Sequence, residues 1–132
     1  MDSTRILVVD DNAAIRKGLS VRLRANGYEV LFAVDAISAT AAVIAEKPDL
    51  VILDLGLPCG DGFLVMDRLN NNEHLAKIPV IVVTGRESAE NRDRALQAGA
   101  VAFFQKPVDD GKLLLAINKA LYFPDGKLLL ED

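Results

Sequence analysis

The chain has 132 residues, a net charge of −4, 51% hydrophobic and 26% charged residues, which fits one globular domain and is short for two. A single cysteine, Cys59, and a single histidine, His74, exclude an internal disulfide, a cysteine-based zinc site and a histidine-cluster metal site. The acidic balance suggests no general basic face for nucleic acid, the start Met1-Asp2-Ser3-Thr4-Arg5 lacks the apolar stretch of a signal peptide, and no run reaches the roughly 18 apolar residues of a membrane span, so a cytoplasmic protein without membrane contact is expected.

In chain order, Ile6-Leu7-Val8-Val9 is the first of four short apolar runs. Residues 14–25 follow with Ile15, Leu19 and Leu23 on one helical face and Arg16, Lys17, Arg22 and Arg24 elsewhere, read as a solvated charged surface. Asn26-Gly27 is a plausible stop. Residues 28–33 form a weaker strand suited to a sheet edge, and the alanine-rich segment 37–46 forms a second helix ending before Pro48. Leu50-Val51-Ile52-Leu53 is the next strand, and Phe63, Met66 and Leu69 mark a third helix. Val80-Ile81-Val82-Val83 and Val101-Ala102-Phe103-Phe104 are further strands, separated by a helix over 88–98 that Gly99 stops. A fifth helix spans 109–121.

The four strong runs do not alternate with polar residues, which is the pattern of strands buried on both faces of a parallel sheet. Five βα units in succession predict such a sheet with helices on each side. One domain over 1–121 is expected. Tyr122-Phe123-Pro124-Asp125-Gly126 reads as a turn-like break, which makes 122–132 a tail or linker stub.

Ligands of open α/β sheets bind beyond the carboxyl ends of the strands. The residues at those ends are Asp10 and Asp11, Asp54, Thr84 and Lys106. Each alone has an ordinary explanation. An Asp or Thr after a strand often caps a helix, and a Lys before a Pro is often a solvated loop residue. Their joint placement is the signal. Three carboxylates in one cleft repel unless a cation joins them, and an all-oxygen ligand set favours a hard ion such as Mg²⁺. With Lys106 and a divalent cation the cluster sums to zero charge. An aspartate so placed is suited to covalent phosphoryl chemistry.

The stretches Ile6-Leu7-Val8-Val9-Asp10-Asp11-Asn12, Asp54-Leu55-Gly56-Leu57-Pro58-Cys59-Gly60-Asp61-Gly62, Val83-Thr84-Gly85, Gly99-Ala100 and Phe103-Phe104-Gln105-Lys106-Pro107, in this order, resemble the receiver domain of two-component response regulators of the chemotaxis-regulator type. The resemblance implies a flavodoxin-like doubly wound (βα)5 fold with strand order 2-1-3-4-5. It implies a phosphorylation-dependent switch that accepts a phosphoryl group from a histidine kinase or phosphotransfer protein on Asp54. Asp11, Asp54 and the Gly56 carbonyl would bind Mg²⁺, and Asp10 would act largely through a metal-bound water. Lys106 would pair with Asp54 and Thr84 would bond the phosphoryl group. Phe103 would report the switch on the face of helix four, strand five and helix five to a downstream partner or output domain. The Lys106–Pro107 bond would be cis. The protein would catalyse only its own phosphoryl transfer and slow hydrolysis, without being an enzyme in the usual sense.

Some positions depart from the family pattern. Gly56 and Arg86, two residues after Asp54 and Thr84, stand where the lifetime of the phosphorylated state is tuned. Val108 replaces a frequent aromatic, and Phe103 replaces a frequent Tyr. The charge pattern that pairs receivers of winged-helix transcription factors is not evident. Cys59 and His74 read as inert loop residues, and Arg92 and Arg94 as solvated. The alternatives are an unphosphorylated binding module, a Mg²⁺-dependent phosphatase with Asp54 as nucleophile, and a flavin carrier. Complete retention of the five polar positions opposes the first. Gly56, in place of a second carboxylate, opposes the second. The lack of a phosphate loop after strand one opposes the third.

Overall fold

The computed structural model describes residues 3–85 and 89–122. The elements run β1 (Arg5–Val9), α1 (Ala13–Ala25), β2 (Glu29–Ala33), α2 (Ala36–Glu46), β3 (Leu50–Leu53), α3 (Gly62–Asn70), β4 (Val80–Thr84), α4 (Ala89–Gln97), β5 (Ala102–Gln105) and α5 (Asp110–Tyr122). The five strands form one parallel sheet of order β2-β1-β3-β4-β5. This is the doubly wound topology expected, with β2 at an edge.

Successive strand residues point to opposite faces, and both faces are covered. Leu7, Val9, Val51, Leu53, Val80, Val82 and Phe103 pack against α2, α3 and α4. Ile6, Val8, Leu50, Ile52, Ile81, Val83 and Phe104 pack against α1 and α5. That two-sided burial is why the strands read as unbroken apolar runs. Leu19 and Leu23 supply the core face of α1, with Ile15 partly buried against the same cluster.

The element ends follow local chemistry. Asn26 closes α1 and Gly27 takes a φ of 88°, a conformation that glycine adopts without a Cβ penalty. The chain then turns so that the Tyr28 amide bonds the Leu23 carbonyl over 3.1 Å, and β2 begins at Glu29, one residue later than the apolar pattern suggests. Lys47 ends α2 in the left-handed region at φ 46°, just before Pro48. Gly99, at φ 107°, follows α4 as expected. Val101 stands outside β5: its amide bonds the Val80 carbonyl over 2.9 Å, and pairing begins with Ile81 opposite Ala102. An apolar residue type does not by itself say where ladder pairing begins. Tyr122 lies in the last turn of α5. The remainder of the tail, Arg86 and Ser88 lie outside the described residues.

Candidate functional site

Among the described residues four polar side chains are buried: Asp10, Ser20, Asp54 and Thr84. Three of these stand at the carboxyl ends of β1, β3 and β4. The sheet order makes that placement productive. From β1 the chain winds outward to β2, then returns past β1 to β3. The reversal leaves a crevice between β1 and β3, and Asp10 and Asp54 line it.

None of the three aspartates is spent as a helix cap. Asn12 caps α1, accepting from the Ile15 amide over 3.1 Å. Asp61 caps α3, accepting from the Leu64 amide over 3.2 Å. Asp35 forms a capping box with Ser38 at α2. The Asp35 carboxyl is held below its usual range, chiefly by the Ser38 amide and hydroxyl. A depressed carboxylate pKa stabilises the fold above the unfolded value and loses that contribution as pH falls through the folded one.

The site aspartates converge instead. Asp10, Asp11 and Asp54 each place a carboxylate oxygen so that all lie within 4.8 Å of one another. The Asp10 and Asp54 side chains are buried, and Asp11 is the exposed member. One pair of unit charges at 4.8 Å repels by about 3.5 kcal/mol at an effective dielectric constant of ~20. Lys106 answers part of that charge. Its Nζ donates to Asp10 Oδ2 over 2.6 Å and to Asp54 Oδ2 over 3.1 Å. The lysine is thus shared, and its shorter bond is to Asp10, where the resemblance implied Asp54 as the partner. Burial pulls the Lys106 ammonium down, but its hydrogen bonds to Asp10 and Asp54 and their charges outweigh burial, so its pKa lies above the usual lysine value of 10.5. The stabilisation from this pairing is therefore present below pH about 10.5 and is lost as pH rises through the raised value. Three carboxylates and one ammonium leave a residual charge of −2, and the donors are all oxygen. That set fits a hard divalent cation.

The second oxygen of Asp54 is also engaged. Oδ1 accepts from the Thr84 hydroxyl over 2.8 Å and from the Gly56 amide over 3.1 Å. The Lys106 amide bonds the Thr84 carbonyl over 2.9 Å, and the Lys106–Pro107 peptide is cis. Thr84 and Phe103 share a sheet face: Thr84 lies opposite Gln105, and Phe103 opposite Val82. The two are diagonal neighbours across one strand pair. Thr84 reaches Asp54, while Phe103 lies in the core at 9% exposure. Cys59 is exposed in the loop after β3 with φ 57°, and His74 is exposed in a turn.

Sequence reading missed how several cations are used. Arg16 Nη1 donates to the Asp10 carbonyl over 2.8 Å. Arg22 pairs with Asp110 at 2.6 Å. Arg94 stacks on the Phe63 ring, 3.8 Å from its centre, and Arg92 also has an interaction partner. Arg22 and Arg94 are exposed, as a solvated face implies, while Arg16 and Arg92 are partly buried. Charge spacing on one helix does not reveal what the neighbouring element offers. For Arg16 a signal existed: a cation in the first turn of a helix opposes the helix dipole.

Gly62 holds the loop between β3 and α3 close. An added Cβ there would lie 2.5 Å from the Asp54 carbonyl oxygen and 2.8 Å from the Leu55 Cα, and both are backbone atoms. Gly62→Ala is expected to destabilise the protein by about 2–3 kcal/mol as overpacking, read as a lower urea midpoint at unchanged slope.

Comparison with known proteins places these features in a family. A family model described as the response regulator receiver domain matches residues 6–118. The chain is 38% identical over 117 residues to the DNA-binding dual master transcriptional regulator RpaA of Synechocystis, covering 89% of this chain and 48% of that protein. It is 35% identical over 130 residues to the response regulator PleD of Caulobacter vibrioides, covering 98% of this chain and 28% of that protein. The chain thus spans about half the length, or less, of these curated relatives. A CheY-like receiver domain protein from Methanospirillum hungatei superposes with a TM-score of 0.85 at 33% identity, covering 96% of this chain and all of that one. The receiver domain of the sensor histidine kinase PA1611 from Pseudomonas aeruginosa, solved with a magnesium ion coordinated in its active site cleft, superposes at 0.83 with 26% identity, covering 91% of this chain and 98% of that one. Among the described residues no helix is long and apolar enough to cross a membrane.

Proposed function

The chain belongs to the response regulator receiver domain family, and from that premise we propose that it is a phosphorylation-dependent switch of a two-component system with Asp54 as phosphoacceptor. The observation that carries this reading is the convergence of Asp10, Asp11 and Asp54 with Lys106 and Thr84 on one crevice. Phosphohistidine of a sensor kinase or phosphotransfer protein is the donor. An Asp54 carboxylate oxygen attacks phosphorus, the new O–P bond forms, and the P–N bond to histidine breaks. In the reverse-signalling step water attacks phosphorus, the O–P bond to Asp54 breaks, and inorganic phosphate leaves. The protein performs these two steps on itself and turns over no other substrate.

Asp11, Asp54 and the Gly56 carbonyl would hold Mg²⁺ directly, with Asp10 reaching it through water. A bound Mg²⁺ supplies charge neutralisation at the phosphoryl oxygens. Lys106 orients Asp54 and donates to a phosphoryl oxygen, and Thr84 donates to another. Phosphorylation replaces a −1 group with one of about −2, so both donors are drawn to it. Movement of Thr84 toward the phosphoryl group leaves space behind it that the Phe103 ring can fill. With no hydroxyl, Phe103 reports the switch by packing alone. The readout surface is the α4–β5–α5 face, where Leu96, Val101 and Leu115 are exposed. A downstream protein or an output domain docks there, the chain itself contacts no nucleic acid, and it works in the cytoplasm. Residues 1–121 suffice as the receiver unit, with 122–132 a tail or linker. Gly56 and Arg86 set the lifetime of the phosphorylated state.

Intact mass after incubation with acetyl phosphate is the direct test. A single phosphoryl adduct that requires Mg²⁺ is expected. A wild-type protein that forms no adduct and binds no beryllofluoride would instead be an unphosphorylated binding module.

A further inference from the structure

Arg16 sits in the first turn of α1, which contains no acidic residue, so its charge opposes the helix dipole. Local rules broken in this way tend to mark functional positions. The side chain is half-buried and turns back along the helix, and Nη1 donates to the Asp10 backbone carbonyl over 2.8 Å. That carbonyl belongs to the peptide joining Asp10 to Asp11. Other bonds hold Asp10 itself: its amide to the Ala33 carbonyl at 3.1 Å, the Asn12 amide to its Oδ1 at 2.9 Å, and Lys106 Nζ to its Oδ2 at 2.6 Å. They fix the Asp10 amide and side chain. The Arg16 bond acts on the plane of the next peptide, from which the Asp11 side chain departs. Asp11 is the exposed carboxylate of the cluster, so its aim depends on that plane more than on packing.

We infer that Arg16 is a positioning residue for the cation site: it clamps the Asp10–Asp11 peptide so that the Asp11 carboxylate stays in register with Asp10 and Asp54. This inference rests on the receiver reading of the same site. It has a sign that separates it from simple electrostatics. Arg16 as a mere nearby charge repels a second cation, so its removal would strengthen Mg²⁺ binding. Arg16 as a clamp favours binding, so its removal weakens it.

The experiment is calorimetric titration of Mg²⁺ into wild type, Arg16→Met and Asp11→Asn, with thermal melts in chelator to verify folding. Arg16→Met is expected to bind Mg²⁺ about tenfold more weakly, in the range typical of groups that orient metal ligands, while remaining folded. Unchanged or tighter binding by folded Arg16→Met overturns the inference. Should Arg16→Met not fold, Arg16→Gln carries the same comparison with the same two outcomes. Folded wild type that binds no Mg²⁺ overturns the receiver reading and this inference with it. Wild-type binding that Asp11→Asn loses and Arg16→Met keeps overturns the role of Arg16 alone.

Discussion

Asp54→Asn is expected to abolish the phosphoryl adduct completely while leaving a folded protein. The amide is nearly isosteric with the carboxylate, and its oxygen can still accept from the Thr84 hydroxyl and the Gly56 amide, which now lie 2.8 and 3.1 Å from Oδ1. What is lost is the nucleophile, since a neutral amide oxygen does not attack phosphorus at a useful rate. The stability terms oppose each other. The variant loses the 3.1 Å charge-assisted bond from Lys106, and it relieves repulsion within a cluster whose oxygens lie within 4.8 Å. A melting temperature within a few degrees of wild type is expected. Intact mass and a thermal melt on the same sample check both halves. An adduct that persists in Asp54→Asn would move the acceptor to Asp10 or Asp11.

The second large effect is at Lys106. Lys106→Met removes the cation that, among the described residues, touches both Asp10 and Asp54 and leaves two buried carboxylates facing each other. Removing one partner of a fully buried ion pair costs about 3–5 kcal/mol. The Lys106 side chain is 20% exposed, so solvent screens part of the effect and roughly 2–3 kcal/mol is expected. Mg²⁺ should stabilise this variant more than wild type, because the uncompensated cluster binds the ion more tightly and binding to the folded state adds stability. Urea unfolding with and without Mg²⁺ measures both quantities. Phosphorylation by acetyl phosphate should slow by about 100-fold, the usual consequence of losing one preorganised donor to a transferring group. A variant as stable as wild type in chelator would show that Lys106 carries no net charge compensation. In wild type this contribution is flat across neutral pH and falls away only above pH about 10.5, because the lysine pKa is raised.

Much of this site is legible in the residues themselves. Asp10, Asp54 and Thr84 follow an apolar run directly, Asp11 and Lys106 follow one residue later, and it is their joint placement that ordinary uses do not explain. The helix-cap explanation could be weighed from sequence but not settled. It is Asn12 and Asp61 that cap α1 and α3, and local sequence offers Asp10, Asp11 and Asn12 as equally good capping residues. Phe103 and Phe104 are another such pair. They are adjacent and chemically identical, yet one faces α2, α3 and α4 and the other faces α1 and α5. Only the pairing of Val82 with Phe103 says which one shares a face with Thr84. Arg16 shows the same limit for charge, since its spacing matches a solvated face while its guanidinium meets the Asp10 carbonyl.

The sequence alone determined the alternation of strands and helices, the burial of the strands on both faces, and the polar residues at their carboxyl ends. Those properties are local: they depend on side-chain period, on caps and on where apolar runs stop. The tertiary structure decided what those residues do together. Lys106 reaches Asp10 across 96 positions of chain, and Thr84 reaches Asp54 across 30, because winding reverses between β1 and β3 and brings distant strand ends to one rim. Sharing of one ammonium between two carboxylates, and the hold of Arg16 on the Asp10–Asp11 peptide, are distances between elements, which no periodicity along one element encodes.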